Sequence, residues 1–392
     1  MKLAVEISNP KTHQRLDVEL PAPYNTLEDA LQRLGCNETI AFRGGVLDDF
    51  GRRTISLNMP ECNIFELNHL SEITQSFEDE NVHKFIGGCF LMNNHELSID
   101  KAINLAMNIK ENNIVDYQPA REARDLAEFY LENDLIPELA DVSDDAYQWI
   151  VDHTNLEELG EEICQKENGT FISDAYVTMG ELEPLYDGSF RMPVPEKYIF
   201  KLEVGFSPEE DDGSIYTLPL PVSHTEIERM MAEMEVKSLS ELTCYKFQST
   251  IPLLEPIDFD MTDVDILNQL ATSISTFKDN GKLNTYKAMV DALEVIDLES
   301  ANQLCDYVGE FKLLRSTRSF SAYGRNQLEE STPKELLDCL DTTEYGAKMA
   351  TQNGVSITSY GALVPKDGVP LLERFSSMND GESHGFMMGQ SM

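Results

Sequence analysis

The chain has 392 residues, and its 70 acidic against 30 basic side chains give a formal charge of −40. Self-repulsion on that scale excludes DNA, RNA and anionic membranes as direct partners and points to a basic one. Hydrophobic residues at 41%, with 18 Phe and 14 Tyr, supply enough apolar surface for a packed core and exclude a disordered chain.

In chain order, KLAVEI and LDVEL alternate apolar and polar residues as a half-buried hairpin does. TLEDALQRL has helical spacing, with Thr26 as N-cap. IFELNHLSEITQSF is a second helix with Leu67, Leu70 and Ile73 on one face, and SIDKAINLAMNI a third, capped by Ser98. REARDLAEFYLENDL and DDAYQWIVDHT are amphipathic helices, and GTFISDAYV closes the first half as a strand. Asn168-Gly169 reads as a type I′ hairpin turn, and Gly44-Gly45 and Gly87-Gly88 also read as turns. Near Lys197 the order restarts with YIFKLEVGFS, and the acidic turn SPEEDDGS separates the next two strands. After about Pro365 the chain turns rich in Gly, Ser and Met, which reads as a loose tail. MKLAVEISNP turns polar within six residues and no apolar run reaches membrane-spanning length, so a soluble protein without a signal peptide is expected.

The restart is a repeat. Val18, Leu20 and Pro21 answer Leu218, Leu220 and Pro221 at an offset of 200, and Leu67, Asn68 and Leu70 answer Leu267, Asn268 and Leu270. Asn168-Gly169 answers Asn353-Gly354 at an offset of 185, so the first copy carries about 15 more residues in its latter half. A period near 200 is far longer than a solenoid unit and indicates tandem copies of a whole folding unit. Strands that precede helices, without strand-helix alternation, place each copy in the α+β class.

Signs of catalysis or a resident cofactor are absent from the pattern. His95-Glu96 lacks the second histidine of a zinc helix, and neither a P-loop nor a G-x-S-x-G is present. Asp260, Asp263 and Asp265, and the run from Glu209 to Asp212, lack the glycine and terminal glutamate of a calcium loop and read as caps and a solvated turn. Seven scattered cysteines without a C-x-x-C pair read as reduced, structural thiols.

The acidity is focused. From Glu111 to Thr170 there are seventeen acids and three bases, whereas from Ala301 to Tyr360 there are eight acids and six bases. Glu122, Asp125, Glu128 and Glu132 recur every three or four residues on the helix from Arg121, opposite Ala123, Leu126, Ala127, Tyr130 and Leu131. Asp116, Asp134, Glu138, Asp141, Asp144, Asp145, Asp152, Glu157, Glu158, Glu161 and Glu162 supply further rows. Rows of carboxylates at helical spacing approach a phosphate array, and the alternative is a solvated outer face. In the second copy Phe311, Leu313, Leu314, Phe320 and Tyr323 lie beside Lys312, Arg315, Arg318 and Arg325. That segment reads either as a dock for the acidic half of the first copy or of a second chain, or as the core of its own copy.

These residues reach a family. LNHLSEI, ARDLAEFYLENDLIPEL, the Tyr/Trp-bearing helix and GTFIS in the first copy, with ILNQLATSI, the Tyr345-Gly346 pair and GVSITSYGAL in the second, resemble the ArdA antirestriction proteins of conjugative elements and phages. The resemblance implies two tandem α+β units, 1–190 and 191–364, followed by a flexible tail at 365–392. Each unit would be a small antiparallel sheet followed by acidic helices and a closing strand, in an elongated molecule. It further implies a non-enzymatic DNA mimic without a cofactor or metal, in the cytoplasm of a bacterial host cell. Its acids would occupy the basic DNA-binding groove of a type I restriction-modification enzyme, with a homodimer as an option. An inhibitor of another defence nuclease such as CRISPR-Cas, or a non-inhibitory acidic adaptor of a mobile element, stays open beside it.

Overall fold

The computed structural model describes residues 3–47, 53–92, 97–172, 175–194, 197–206, 215–295 and 297–376. The acidic turn at 207–214 and residues 377–392 of the expected tail lie outside them. Within them the chain is α+β with small antiparallel sheets, and no helix is long and apolar enough to cross a membrane. Contacts divide it into two units, 1–23 with 36–193, and 24–35 with 194–392.

In the first unit β1 (Leu3–Ser8) and β2 (Arg15–Leu20) form the expected hairpin, with Val5 opposite Val18. Val18 and Leu20 are buried while Asp17 and Glu19 face solvent. Thr26 lies inside α1 (Tyr24–Leu34) and caps nothing, and this helix is counted with the second unit. β3 (Thr39–Leu47) and β4 (Arg53–Asn63) extend the sheet to the order β2-β1-β3-β4. Neither strand is legible in the sequence, because Gly44-Gly45 sits within β3 and Pro60 at a register shift of β4, and both residue types weaken a strand pattern. Asn63 accepts the Phe65 N–H at 2.8 Å and caps α2 (Ile64–Gln75). After it come α3 (Asp79–Leu91) and α4 (Ile99–Asn112). Ser98 holds the N-cap position of α4 without a side-chain bond. Gly87-Gly88 is no turn but the buried middle of α3, where a Cβ at Gly87 would lie 2.6 Å from the Val177 side chain.

The unit continues through β5 (Val115–Gln118), α5 (Ala123–Glu132), a 3-10 turn at Pro137–Leu139 and α6 (Asp144–His153). It ends with α7 (Leu156–Glu167), β6 (Thr170–Ile172) and β7 (Ala175–Met179), and its second sheet has the order β5-β7-β6. Asn168 is the left-handed C-cap of α7, with φ 53°, not the first residue of a hairpin turn. The sequence pattern cannot separate these two uses of Asn-Gly, since each rests on an Asn that tolerates positive φ.

The second unit follows a similar order, without a counterpart of β4 among the described residues. β8 (Phe200–Gly205), β9 (Tyr216–Leu220), α8 (His224–Glu233) and β10 (Thr243–Ser249) give a sheet β10-β8-β9, matching β3-β1-β2. Then follow α9 (Val264–Asp279), α10 (Leu283–Leu293), α11 (Leu298–Tyr307) and β11 (Phe311–Leu314). α12 (Phe320–Leu328), α13 (Lys334–Leu337), α14 (Thr343–Gln352), β12 (Ser356–Thr358) and β13 (Gly361–Pro365) close it, with a sheet β11-β13-β12. One detail recurs atom for atom. The Asn68 carboxamide accepts the Ala22 N–H at 2.7 Å, and Asn268 accepts that of Val222 at 2.9 Å, each satisfying backbone just past the Leu-Pro pair. Asp260 and Asp263 bond each other's backbone N–H groups as a capping box, which accounts for that cluster. All seven cysteines are free thiols, and burial pushes Cys62 and Cys305 up to about 12.

α1 joins the second unit through a buried ion pair. Lys287 Nζ lies 2.7 Å from Asp29, both residues are under 5% exposed, and the Tyr360 hydroxyl donates to the same carboxylate at 2.8 Å. Burial, then the Asp29 charge, drives the Tyr360 phenol far above its ordinary value. Arg318 donates to the carbonyls of Gln32 and Ser359, at 3.1 Å each. The segment around Arg315 and Arg318, read as either a dock or the core of its own unit, divides residue by residue, with Lys312, Arg315 and Phe320 exposed. Phe311 and Tyr323 are buried in their own unit, Arg318 holds the end of α1, and Arg325 pairs with Asp338. Residues 366–376, expected to open a loose tail, are docked. Leu371 is 1% exposed, Arg374 pairs with Glu310 and Asp367, and Phe375 packs on the core.

Replacing Lys287 by Met strands a buried carboxylate and is expected to destabilise the protein by about 3 to 5 kcal/mol. Lys287→Met with Asp29→Leu is expected to cost less than the sum of the two single changes. Chemical denaturation of the four proteins checks both statements.

Candidate functional site

The acidic stretch folds as two parallel helices with an insert between them. Gly160 of α7 passes directly under α5, where a Cβ would run into the Ala123 carbonyl oxygen. Seven residues further along both helices, the Tyr130 hydroxyl donates to Glu167 at 2.7 Å, and Tyr176 of β7 donates to the same carboxylate at 3.2 Å. Contacts that advance equally on both helices make the pair parallel and tie it at both ends. Burial, with Glu167, raises both phenols well above their ordinary range, so they remain neutral donors. Asp116 on β5 lies opposite Thr178 of β7 and adds a smaller through-space charge at Tyr130.

On this frame Ala123, Leu126, Ala127 and Leu131 of α5 are buried, while Gly160 and Ile163 are the buried residues of α7. The helix starts at Ala123, so Arg121 and Glu122 precede it, with Glu122 at the N-cap position. Asp116, Glu122, Glu132, Asp134, Glu138, Asp141, Asp145, Asp152, Glu157, Glu158, Glu161 and Glu162 are exposed, and Asp125 and Glu128 half-exposed. Of Asp144 only the backbone, at the start of α6, is described.

Several of these acids have local partners. Asp125 accepts the Arg121 N–H at 3.1 Å, Arg124 pairs with Glu128 at 3.0 Å, and Lys166 lies 3.5 Å from Glu138. The Glu138 carboxyl sits below its usual range, first through a backbone hydrogen bond and then through Lys166. The Glu128 bond, with Glu122 and Glu157 acting through space, holds the Arg124 guanidinium more firmly charged. Arg124 and Lys166 thus lie among the carboxylates of the stretch and blunt part of the field.

The structure adds what the residue pattern does not show. A hollow of about 500 Å³ opens beside the end of α5, lined by Tyr130, Leu131, Ile136, Leu139, Val142 and Tyr147 together with Asp134 and Ala140. Trp149, the only tryptophan of the chain, is 63% exposed on α6 and stacks on His153 with ring centroids 4.4 Å apart. A Tyr/Trp-bearing amphipathic helix would ordinarily bury its tryptophan, so nothing in the spacing marks this one as outward.

The second unit has the same glycine-notched pair. A Cβ on Gly346 of α14 would run into the Phe320 carbonyl oxygen of α12, and one on Gly324 into that of Thr342. Its charge is different. Residues 121–132 and 156–167 hold nine acids and three bases, whereas α12 and α14 hold Glu344 against Arg325 and Lys348. No protein-family model matches the chain, and no curated protein matches it.

Gly160→Val is expected to force α5 and α7 apart, at a cost of about 3 kcal/mol or more. It should weaken any activity of the acidic face together with stability, and denaturant midpoints measured beside binding check this.

Proposed function

We propose that this chain is a DNA-mimicking antirestriction protein of the ArdA type, built as two tandem units. It occupies the DNA-binding groove of a type I restriction-modification enzyme in a bacterial host, and it turns nothing over. The observation that carries this reading is the contrast between two helix pairs of one build. α12 and α14 make the same glycine-notched contact with a net +1, so folding does not demand the net −6 of the first pair.

Magnitudes support it. Twelve residues of helix extend about 18 Å, so the pair carries about one net charge per 3 Å, against one per ~1.7 Å of duplex axis. The insert at 133–155 adds six acids and no Lys or Arg, which brings the density closer to that of DNA. A mimic also has to hold its charges still, and here both ends of α5 are tied to α7.

Against a purified type I restriction-modification enzyme, the full chain should displace duplex DNA. Its apparent affinity should fall at least a hundredfold between about 50 and 200 mM salt, because carboxylates binding a basic groove release counterions as phosphates do. Competition that is indifferent to salt would show electrostatic mimicry to be wrong. Neutralising Glu122, Asp125, Glu128 and Glu132 together should weaken competition about tenfold or more, with each single change staying within about threefold.

A further inference from the structure

The hollow beside α5 belongs to the part of the first unit that the second unit lacks. Between the two glycine-notched helices the first unit has 23 residues and the second has 14, counted from Asn133 to Asn155 and from Glu329 to Thr342. The longer connection builds the 3-10 turn at Pro137–Leu139 and the ten-residue α6, where the second unit has only the four residues of α13. The hollow, Trp149 and the acids Glu138, Asp141, Asp145 and Asp152 all lie on it or open onto it.

The hollow mixes aliphatic and aromatic side chains with polar lining atoms, and carboxylates stand at its edge. Leu131, Ile136, Leu139 and Val142 give aliphatic surface, and Tyr130 and Tyr147 give ring faces. Both phenol hydroxyls are already spent, Tyr130 on Glu167 at 2.7 Å and Tyr147 on the Leu131 carbonyl at 2.7 Å. The rings therefore offer carbon faces, and their hydroxyls can only accept further hydrogen bonds. Leu135, next to the lining, is 43% exposed. Asp134 lines the hollow and is exposed, and Glu138 and Asp141 sit on the turn that forms its wall. An apolar side chain flanked by cations fits this arrangement. A second copy of the chain would have to bring −40 against −40, which favours a partner that is basic as a whole.

We infer that the hollow is an anchor site for one aliphatic or aromatic side chain of a basic partner segment, with Asp134, Glu138 and Asp141 taking the flanking Lys or Arg. The inference rests on the mimicry reading and gives it a component that duplex DNA does not have. Apolar burial is not screened by salt, whereas the carboxylate rows lose their hold as salt rises. The anchor then supplies choice among basic grooves and residual binding at high salt.

Two cations of equal charge test this on the full chain, phenethylguanidinium and methylguanidinium, followed by amide chemical-shift changes at high salt. Phenethylguanidinium should bind at least about fivefold more tightly, with shifts centred on residues 130–147, while methylguanidinium spreads weakly over the acids. Ala140→Phe places bulk at the exposed rim without altering charge, and it should remove the difference between the two cations. Ala140→Ser should keep it, and thermal melts of both variants show that the fold is retained. In DNA competition, Ala140→Phe should act as the unaltered chain does at low salt and lose its residual effect at high salt. An equal response to both cations, with competition against DNA intact, overturns the anchor site and leaves mimicry standing. Selection of the aromatic cation by a chain that does not compete with DNA removes mimicry and supports the hollow as a site for apolar cations.

Discussion

Everything on the acidic face depends on one close approach, that of Gly160 to the Ala123 carbonyl. Any side chain at 160 would hold the helices apart, because close-packed interiors have no room for an added carbon against a backbone oxygen. With the helices in contact, Tyr130 reaches Glu167, Tyr176 joins the same carboxylate, and two rows of acids are held at a spacing set by backbone rather than by flexible side chains. A rigid frame of this kind is what separates an organised anionic surface from a merely acidic one.

The frame also shows which acids the helices themselves favour. Asp125, Glu157 and Glu158 lie in first turns, where the helix dipole favours negative charge by a few tenths of a kcal/mol. Asp145 opens α6 in the same sense. Glu132 ends α5 and Asp152 stands in the last turn of α6, where the dipole opposes them. Neither gains from the dipole of its own helix, although Asp152 accepts a hydrogen bond from the Gln148 amide at 3.0 Å.

The second unit illustrates how one build is turned to different ends. It keeps the order of three strands in its first sheet, the Asn268 clamp and the glycine notch, but commits several of its bases to internal contacts. Lys287 pairs with Asp29, Arg318 closes over the end of α1, and Arg325 meets Asp338. A helix that follows β2 in the chain is thereby built into the unit formed by residues 194–392. The buried ion pair adds little to net stability and is costly to break, which suits a contact that specifies where a segment docks.

Local pattern by itself determined a good deal: the first hairpin, the helices α2, α4, α5 and α6, the recurrence at an offset of 200, and the concentration of charge between 111 and 170. These are short-range properties, written in the alternation of residues and in counts that no folding can change. Tertiary structure alone decided the rest. Whether Asn168-Gly169 turns a hairpin or ends a helix, whether Gly87-Gly88 bends the chain or lets a helix lie against β7, and whether Trp149 faces in or out depend on neighbours distant in sequence. The same holds for β3 and β4, whose glycines and proline hide the strand pattern, and for α1, whose Asp29 finds Lys287 across 258 residues. Burial and pairing are properties of the assembled neighbourhood, and a residue carries no local mark of the partner it will meet.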